Sequence, residues 1–495
     1  MKKPFPALIL CIATLVLPTA AQTYDQPFRP QVHFSPAEHW TNDPNGLVYF
    51  QGEYHLFFQY NPYGDQWGHM SWGHAVSTDL LHWQELPVAI PEHGNTMIFT
   101  GSVVVDHRNT SGLCAQKSEC LVAIYTGHTQ TPHGVRQTQN IAFSLDKGRN
   151  WTQYPGNPVL DLHLADFRDP SVSWDPIARH WIMAVSLPKE HKVRFYSSSN
   201  LKQWSLLSDF GPAGDTNGDW ECPDLLRIPS ANGAKSIWAL KVGLNPGAPQ
   251  GGSGEQYFLG DFDGKTFRQS RQRGAHGWTN YGKDDYCAIS FNNLPRGQKP
   301  VLLGWMSNWQ YAARLPTSPW RGQMSIPRRL SYLRDGAGLA LKQEPVIAPL
   351  RGRSSVISTL YGSGHRIHAP FEIRLNFNHP VEPVFGLKIY SGQQHWTEIG
   401  FDTNTKEFFI DRTHSGAGVS PDFPTRTAAP LVTTRSYDLT LIVDRSSVEA
   451  FAQNRTIAMT DLIFPSSPDL QIQVFPADAK HLACKGRLWE LRSIR

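Results

Sequence analysis

The sequence is poor in charge, in helical periodicity and in long apolar runs. Charged residues make up 18% of its 495 residues, and the formal net charge is +4, of which Lys2 and Lys3 contribute two. A chain so close to neutral does not indicate binding to nucleic acid or to an anionic surface. Beyond the first 21 residues no apolar run is long enough to cross a membrane, so the sequence predicts no membrane span.

Cysteine is also scarce, with six in the whole chain. Cys114 and Cys120 flank a short polar segment, and they could form a disulfide that closes this loop in an exported protein. The other cysteines outside the N-terminal segment are isolated in the sequence: Cys222, Cys287 and Cys484. With Cys114 and Cys120 they make an odd number, so the cysteines cannot all form disulfides. No spacing indicates a zinc site, and the sequence predicts neither a metal nor a cofactor.

The N-terminal segment has the pattern of a secretory signal. Lys2 and Lys3 precede an apolar run over residues 7–17, and small residues at 19–21 offer a cleavage site. We therefore predict a signal peptide over residues 1–21 and a secreted or periplasmic protein. A buried N-terminal strand or an anchor is the alternative.

Short runs rich in Val, Ile, Phe, Tyr and Trp, separated by Gly, Pro, Asn and Asp, predict an all-β chain. A strand end, a polar turn and an aromatic residue recur at residues 77–83, 144–151 and 198–204, and more weakly at 260–267. Spacings of about 50 to 70 residues suit four-stranded propeller blades with long loops. Coincidental hairpins are the alternative.

The chain becomes loop-like and basic near residues 345–355, and alternating strands then resume. We predict a catalytic β-propeller over residues 30–345, followed by a β-sandwich over residues 356–495.

Three acidic motifs lie within the predicted propeller. Asp43 stands between two carboxamides and precedes Pro-Asn-Gly, which predicts a tight turn. Arg168 and Asp169 are adjacent, so both could border one site only at a strand end or a bulge. Glu221 stands between a tryptophan and a cysteine, an apolar setting that favours a protonated general acid.

The positions of these acids suggest a shared site. Asp43, Asp169 and Glu221 each precede a repeat aromatic by a similar distance, so each falls near the start of a blade. Inner propeller strands converge on the central channel, where clustered carboxylates repel one another. Calcium would favour several closely spaced ligands on one loop, which are not seen. Glycoside hydrolysis, which needs a nucleophile and an acid, fits better.

These blocks resemble glycoside hydrolase family 32, which contains invertases, exo-inulinases and levanases. The resemblance rests on residues 40–46, 167–170 and 221–225, and it continues through residues 99–102, 304–311, 319–328 and 444–451. It implies a five-bladed propeller followed by a β-sandwich, with a fifth blade around residues 285–329. Thr41 stands where the family usually has Met, and Thr100 where it often has Ser.

The resemblance also implies roles for individual residues. Asp43 would be the nucleophile that attacks C2 of a fructofuranosyl unit, Glu221 the acid and base, and Asp169 a ligand of the sugar hydroxyls. The pocket would be lined by Asn42, Gln59, Trp67, Ser102, Arg168 and Trp320. Arg168 could pair with a neighbouring acid. Ordinary strand hydrogen bonding is the alternative for Gln59 and Ser102.

Together these features predict a secreted retaining exo-β-fructosidase acting on fructans (levan or inulin) and sucrose. An endo-acting fructanase or a fructosyltransferase is the enzymatic alternative, and a carbohydrate-binding propeller is the non-enzymatic one. The sequence determines neither the preferred linkage nor the oligomeric state.

Overall fold

A computed structural model describes residues 24–115, 118–270, 274, 276–335, 338–357, 364–416, 418–476 and 483–495. The predicted signal segment, residues 1–21, lies outside these ranges. No helix within them is long and apolar enough to cross a membrane. Most of the described chain is β-strand, with short 3-10 helices at Pro188–Glu190, Ala312–Arg314 and Ala348–Leu350.

The first part of the chain forms five antiparallel sheets, which are the blades of a propeller. Blade I contains β1 (His39–Phe50), β2 (Glu53–Asn61), β3 (Ser71–Ser77) and β4 (Gln84–Ile90). Blade II contains β5 (Thr96–Asp106), β6 (Cys120–Thr131), β7 (Gly134–Ser144) and β8 (Thr152–Gln153). Blade III contains β9 (Arg168–Asp175), β10 (His180–Leu187), β11 (Lys192–Ser198) and β12 (Ser205–Phe210).

Blade IV contains β13 (Asp219–Pro229), β14 (Ser236–Asn245), β15 (Gly254–Phe262) and β16 (Phe267–Gln269), and β17 (Gly277–Trp278) also pairs with β15. Blade V contains β18 (Tyr286–Ser290), β19 (Val301–Trp305), β21 (Arg328–Asp335) and β22 (Gly338–Pro345). The short strand β20 (Trp320–Arg321) leaves blade V and pairs in parallel with β1 of blade I.

The first strand of each blade lies innermost, and these five strands form a closed ring. β1 contacts β5, β5 contacts β9, β9 contacts β13, β13 contacts β18, and β18 returns to β1. An apolar cluster fills each boundary between blades, so burial of apolar surface holds the ring together. The predicted five-bladed propeller is confirmed.

The sequence repeat is the connection between the third and fourth strands of a blade. In three copies the closing tryptophan donates its indole N–H to the backbone carbonyl three residues earlier. The pairs are Trp83 with Leu80 at 3.1 Å, Trp151 with Gly148 at 3.0 Å, and Trp204 with Leu201 at 2.9 Å. The recurring turn therefore has a recurring hydrogen bond, which rules out coincidence.

The second part of the chain is a sandwich of two six-stranded sheets. One sheet contains, in spatial order, β23 (Arg351–Ile357), β34 (Ala483–Leu491), β25 (Phe371–Asn378), β30 (Ser436–Val443), β31 (Ser447–Ala452) and β32 (Ile457–Leu462). The other contains β24 (His365–His368), β33 (Asp469–Phe475), β26 (Val384–Ser391), β27 (Trp396–Asp402), β28 (Glu407–His414) and β29 (Arg426–Pro430). Alternate apolar side chains of both sheets meet in one core.

Buried ion pairs join the two parts of the molecule. His33, ahead of β1, lies between Asp444 and Glu449 of the sandwich, with both ring nitrogens 2.8 Å from carboxylate oxygens. Arg412 of β28 lies 2.6 Å from Asp284, just before β18. The sandwich thus contacts both the entry to blade I and the entry to blade V.

Candidate active site

Asp43 lies inside the long strand β1, so the predicted tight turn over residues 40–46 is wrong. The pairing of β1 with β2 shifts register between Thr41 and Pro44 and again between Asn45 and Val48. Bulges of this kind redirect side chains without ending the strand. Turn-forming residues therefore make an irregular strand here, because both neighbouring segments remain paired in the sheet.

The carboxylate of Asp43 is only partly satisfied by the protein. Its Oδ2 accepts a hydrogen bond from the hydroxyl of Thr100 at 3.1 Å. Its Oδ1 is buried and has no hydrogen-bond partner among the described residues. Burial, followed by the charges of Asp169 and Glu221, raises the pKa of Asp43 from 3.8 to about 7. The three acids are therefore close enough to influence one another's charge.

Asp169 begins blade III in a left-handed conformation, with φ of 65°. This backbone geometry explains how Arg168 and Asp169 border the same site although they are neighbours in β9. The backbone N–H of Asp169 donates to Thr126 at 2.9 Å, and its Oδ2 accepts from the N–H of Cys222 at 2.9 Å. Burial raises the pKa of Asp169, although Arg168 acts in the opposite direction.

Glu221 is the third residue of β13, the inner strand of blade IV, and it accepts hydrogen bonds at both carboxylate oxygens. Arg168 donates from Nε to Oε1 at 3.0 Å, and the hydroxyl of Tyr286 in β18 donates to Oε2. Arg168 also donates from Nη1 to Asp166 at 2.8 Å. Blades III and V thus each supply a donor to this carboxylate of blade IV.

The setting predicted for Glu221 needs correction. Its neighbour Cys222 is not a free thiol but is bonded to Cys287, and Trp220 packs in the apolar cluster between blades III and IV. The two cysteines meet only in the folded chain, so the sequence did not show this bond. The carboxylate of Glu221 faces polar donors, Arg168 and Tyr286, and not an apolar thiol. The predicted disulfide between Cys114 and Cys120 is confirmed.

The cysteine sulfurs also bear on metal binding. A carboxylate oxygen of Asp43 and the sulfurs of Cys222 and Cys287 lie within 4.8 Å of one another. Because the sulfurs are bonded to each other, they do not supply the thiolates that a metal would need. This residue set does not fit a metal ion.

Two of the predicted pocket residues belong to the acidic network. Arg168 bonds Glu221, as described. Asn42 is buried next to Asp43, and its Oδ1 accepts the indole N–H of Trp40 at 2.8 Å. That bond orients the amide beside Asp43, and the hydrogen bonding of Asn42 lowers the pKa of Asp43 against the larger effect of burial.

The other predicted pocket residues have different surroundings. Gln59 is buried, and its amide nitrogen lies 3.0 Å from the Asn45 amide. Ser102 lines a small cavity with Asp169 but accepts a hydrogen bond from a backbone N–H of β9 at 2.9 Å. Trp67 is 46% exposed. Trp320 is buried, and the guanidinium of Arg29 lies 4.5 Å from the centre of its ring.

Sequence reasoning assigned no site role to Tyr286 or to an aromatic wall. Tyr286 is the first residue of the inner strand of blade V. The inner strands of blades III and IV carry Asp169 and Glu221 near the same position, so the repeat could have predicted a site role for Tyr286. The wall packs around the disulfide and includes Trp40, Trp305 and Trp309. Trp40 is distant in sequence from Trp305 and Trp309, and no spacing connected it to them.

Comparison with known proteins agrees with this geometry. The model of the glycosyl hydrolases family 32 N-terminal domain matches residues 33–345, and that of the family 32 C terminal matches residues 353–490. The levanase of Bacillus subtilis (strain 168) is 42% identical over 491 residues, which cover 95% of this chain and 71% of the relative. The extracellular exo-inulinase of Aspergillus awamori is 40% identical over 493 residues, covering 91% and 92%.

Solved structures show the same architecture. The crystal structure of exo-inulinase from Aspergillus awamori has a TM-score of 0.89 at 37% identity, covering 96% of this chain and 100% of the other. The β-fructofuranosidase of Schwanniomyces occidentalis complexed with fructosyl-erythritol has a TM-score of 0.86 at 34% identity, covering 95% and 99%. Matches over both parts of the chain show that it belongs to glycosyl hydrolase family 32 and is a glycoside hydrolase.

Proposed function

We propose that this protein is a secreted, retaining exo-β-fructosidase that removes terminal fructofuranosyl units from fructans and from sucrose. One observation carries the proposal: Asp43, Asp169 and Glu221, from three inner strands, converge so closely that the charges of the other two raise the pKa of Asp43. Levanase and exo-inulinase, the names of the relatives, indicate the substrate class.

The proposed reaction has two steps. Asp43 attacks C2 of the terminal fructofuranosyl unit while Glu221 gives its proton to the leaving oxygen. Glu221 then removes a proton from a water molecule, whose oxygen attacks C2 and breaks the bond to Asp43. The released fructose has the same anomeric configuration as the fructosyl unit of the substrate. Asp169 accepts hydrogen bonds from ring hydroxyls and stabilises the positive charge that develops on the sugar.

Two residues hold Glu221 for both of its tasks. Arg168 and Tyr286 donate to opposite oxygens of the carboxylate, so the side chain is restrained in either protonation state. A general acid must reach the leaving oxygen within hydrogen-bonding distance, and this restraint keeps it there. Trp67, exposed near Phe99, offers an aromatic face for the next unit of a chain.

Product analysis on levan, inulin and sucrose tests the proposal. Fructose as the only early product from both polymers supports exo action, whereas early oligosaccharides would indicate an endo-acting enzyme. Growth of fructan chains with release of glucose from sucrose would indicate transfer. Proton NMR of the first turnovers should show β-fructofuranose before mutarotation, and an inverted product would overturn the retaining mechanism.

A further inference from the structure

We propose that the disulfide between Cys222 and Cys287 is a positioning cross-link for the acid and base of the reaction. It joins β13 of blade IV to β18 of blade V, strands that belong to separate sheets. The proposal rests on the proposed role of Glu221. It assigns the disulfide a part in catalysis in addition to stability.

Each half of the disulfide directly follows a residue of the site. Glu221 precedes Cys222, Tyr286 precedes Cys287, and the hydroxyl of Tyr286 donates to Oε2 of Glu221. The covalent bond and the hydrogen bond therefore run side by side between the same two strands. The disulfide fixes the distance between the two strands, and with it the distance between the hydroxyl of Tyr286 and the carboxylate of Glu221.

Both strands are irregular at the disulfide. Cys222 has φ of 47° and Cys287 has φ of 46°, and strand pairing shifts register just after Glu221 and just after Tyr286. A left-handed conformation is unfavourable for a non-glycine residue, so it persists only where the surroundings hold it. The disulfide is a covalent restraint that holds both bulges together.

The same cross-link contacts the remaining acids. The backbone N–H of Cys222 donates to Oδ2 of Asp169 at 2.9 Å, and both sulfurs lie within 4.8 Å of a carboxylate oxygen of Asp43. Cys222 is 2% exposed and Cys287 is fully buried. The disulfide is thus a buried neighbour of the whole acidic cluster.

Loss of the bond would act on Glu221 through Tyr286. The charged or titratable groups that face Glu221 are Arg168 and Asp169 of β9, Asp43 of β1 and Tyr286 of β18, and Arg168 is itself shared with Asp166 and Asp219. If the two strands move apart, the ionised carboxylate loses the donor from β18 but retains Arg168. The carboxylate is then held from one side only, and its proton transfers to the leaving oxygen and from water become slower.

The double variant Cys222→Ala/Cys287→Ala tests this proposal with sucrose as substrate. We expect kcat to fall at least about fivefold, with KM changed less than about threefold, because the acid and base are misplaced. The matched control is Cys114→Ala/Cys120→Ala, which removes the other disulfide, and its kcat and KM should equal those of the wild type.

The two possible failures are distinguishable. If the double variant keeps the wild-type kcat and KM and only its Tm falls, the disulfide is a structural cross-link and the proposal is wrong. If instead Glu221→Gln keeps the wild-type rate, the proposed function fails and this inference fails with it.

A second pair of measurements applies if the double variant does not fold. Tyr286→Phe retains the disulfide but removes the hydroxyl, and it should reproduce the lower kcat with little change in KM. Wild-type protein can also be reduced with a phosphine, which becomes a phosphine oxide with oxygen from water as two thiols form. Activity should fall in step with alkylation of Cys222 and Cys287, measured by mass spectrometry; an unchanged rate in either experiment would overturn the proposal.

Discussion

Arg168 donates from Nε to Oε1 of Glu221 at 3.0 Å across the boundary between blades III and IV. The same guanidinium donates from Nη1 to Asp166, which lies just before β9. This bond holds Arg168 in place while Arg168 orients Glu221 of blade IV. A planar guanidinium presents N–H groups on separate nitrogens in fixed directions, whereas the three N–H groups of an ammonium share one nitrogen. The contact therefore fixes the acid and base of the proposed reaction against a separate sheet.

Arg168→Lys should preserve the positive charge but lose this geometry. We expect kcat/KM for sucrose to fall by about 10- to 100-fold, because one ammonium group cannot bond Glu221 and Asp166 as the guanidinium does. Arg194→Lys is the control, since Arg194 makes a similar pair with Asp209 at 2.7 Å on the outer part of blade III. Equal losses in the two variants would contradict a specific role for Arg168.

Asp43→Asn should abolish activity and stabilise the protein at high pH. The pKa of Asp43 is raised from 3.8 to about 7, so its contribution to stability is complete below pH 3.8 and is lost as pH rises through 7. Asparagine has no charge to bury, so the variant should gain on the order of 2 kcal/mol at pH 8 and almost nothing at pH 3.5. Urea unfolding at both pH values, with kcat expected to fall by roughly 10⁴-fold, checks both effects.

The contrasting control for that experiment is Asp263→Asn. The pKa of Asp263 is lowered to about 2, with a backbone hydrogen bond from Thr266 as the largest cause. Removing its charge should not stabilise the protein at pH 8. A loss of stability in Asp43→Asn at pH 8 would show that burial does not penalise the Asp43 carboxylate.

His33→Gln should weaken the junction between propeller and sandwich. Burial lowers the pKa of His33, but hydrogen bonds to Asp444 and Glu449 outweigh it and raise the pKa from 6.5 to about 9. The stabilisation is therefore complete below pH 6.5 and is lost as pH rises through 9. We expect the variant to lose about 3 kcal/mol of unfolding free energy at pH 6, because two buried carboxylates lose their cation.

The measurement is urea unfolding of wild type and His33→Gln between pH 6 and pH 10. The difference should shrink steadily toward the alkaline end, and a difference independent of pH would contradict the ionic role. His82→Gln is the matched control, because its partner Asp79 is also close, at 2.7 Å, but the pair is exposed. That variant should stay within about 0.5 kcal/mol of the wild type.

Gly46→Ala should disturb the irregular strand that carries Asp43. Gly46 has φ of 53°, and an added Cβ would lie 2.6 Å from a methyl of Val103 in blade II. We expect a loss of about 3 kcal/mol, from backbone strain together with crowding at the blade boundary. In Gly52→Ala the φ of 93° is also unfavourable but the space is open, so a loss of about 1 kcal/mol is expected. Equal losses in the two variants would exclude crowding as the cause.

Much of the fold was readable because it depends on local pattern. The aromatic residue that closes each repeat marks the turn between the third and fourth strands, and the hydrogen bond from Trp83, Trp151 or Trp204 is made within that turn. Asp169 and Glu221 were placed at blade starts by counting back from these markers. Where residues 40–46 suggested a turn, pairing with β2 overrode local preference, because a paired strand satisfies backbone groups that a turn would leave exposed.

The sequence by itself determined the all-β class, the repeated blade and the three acids, since each is carried by residues close together in the chain. Only the tertiary structure decided which groups meet. Tyr286 donates a hydrogen bond to Glu221, the N–H of Cys222 donates one to Asp169, and Cys222 forms a disulfide with Cys287. These contacts join different blades, and closure of the ring sets their geometry. Contacts of that kind leave no spacing in a single chain, because any insertion in the loops between blades would change the spacing without changing the contact.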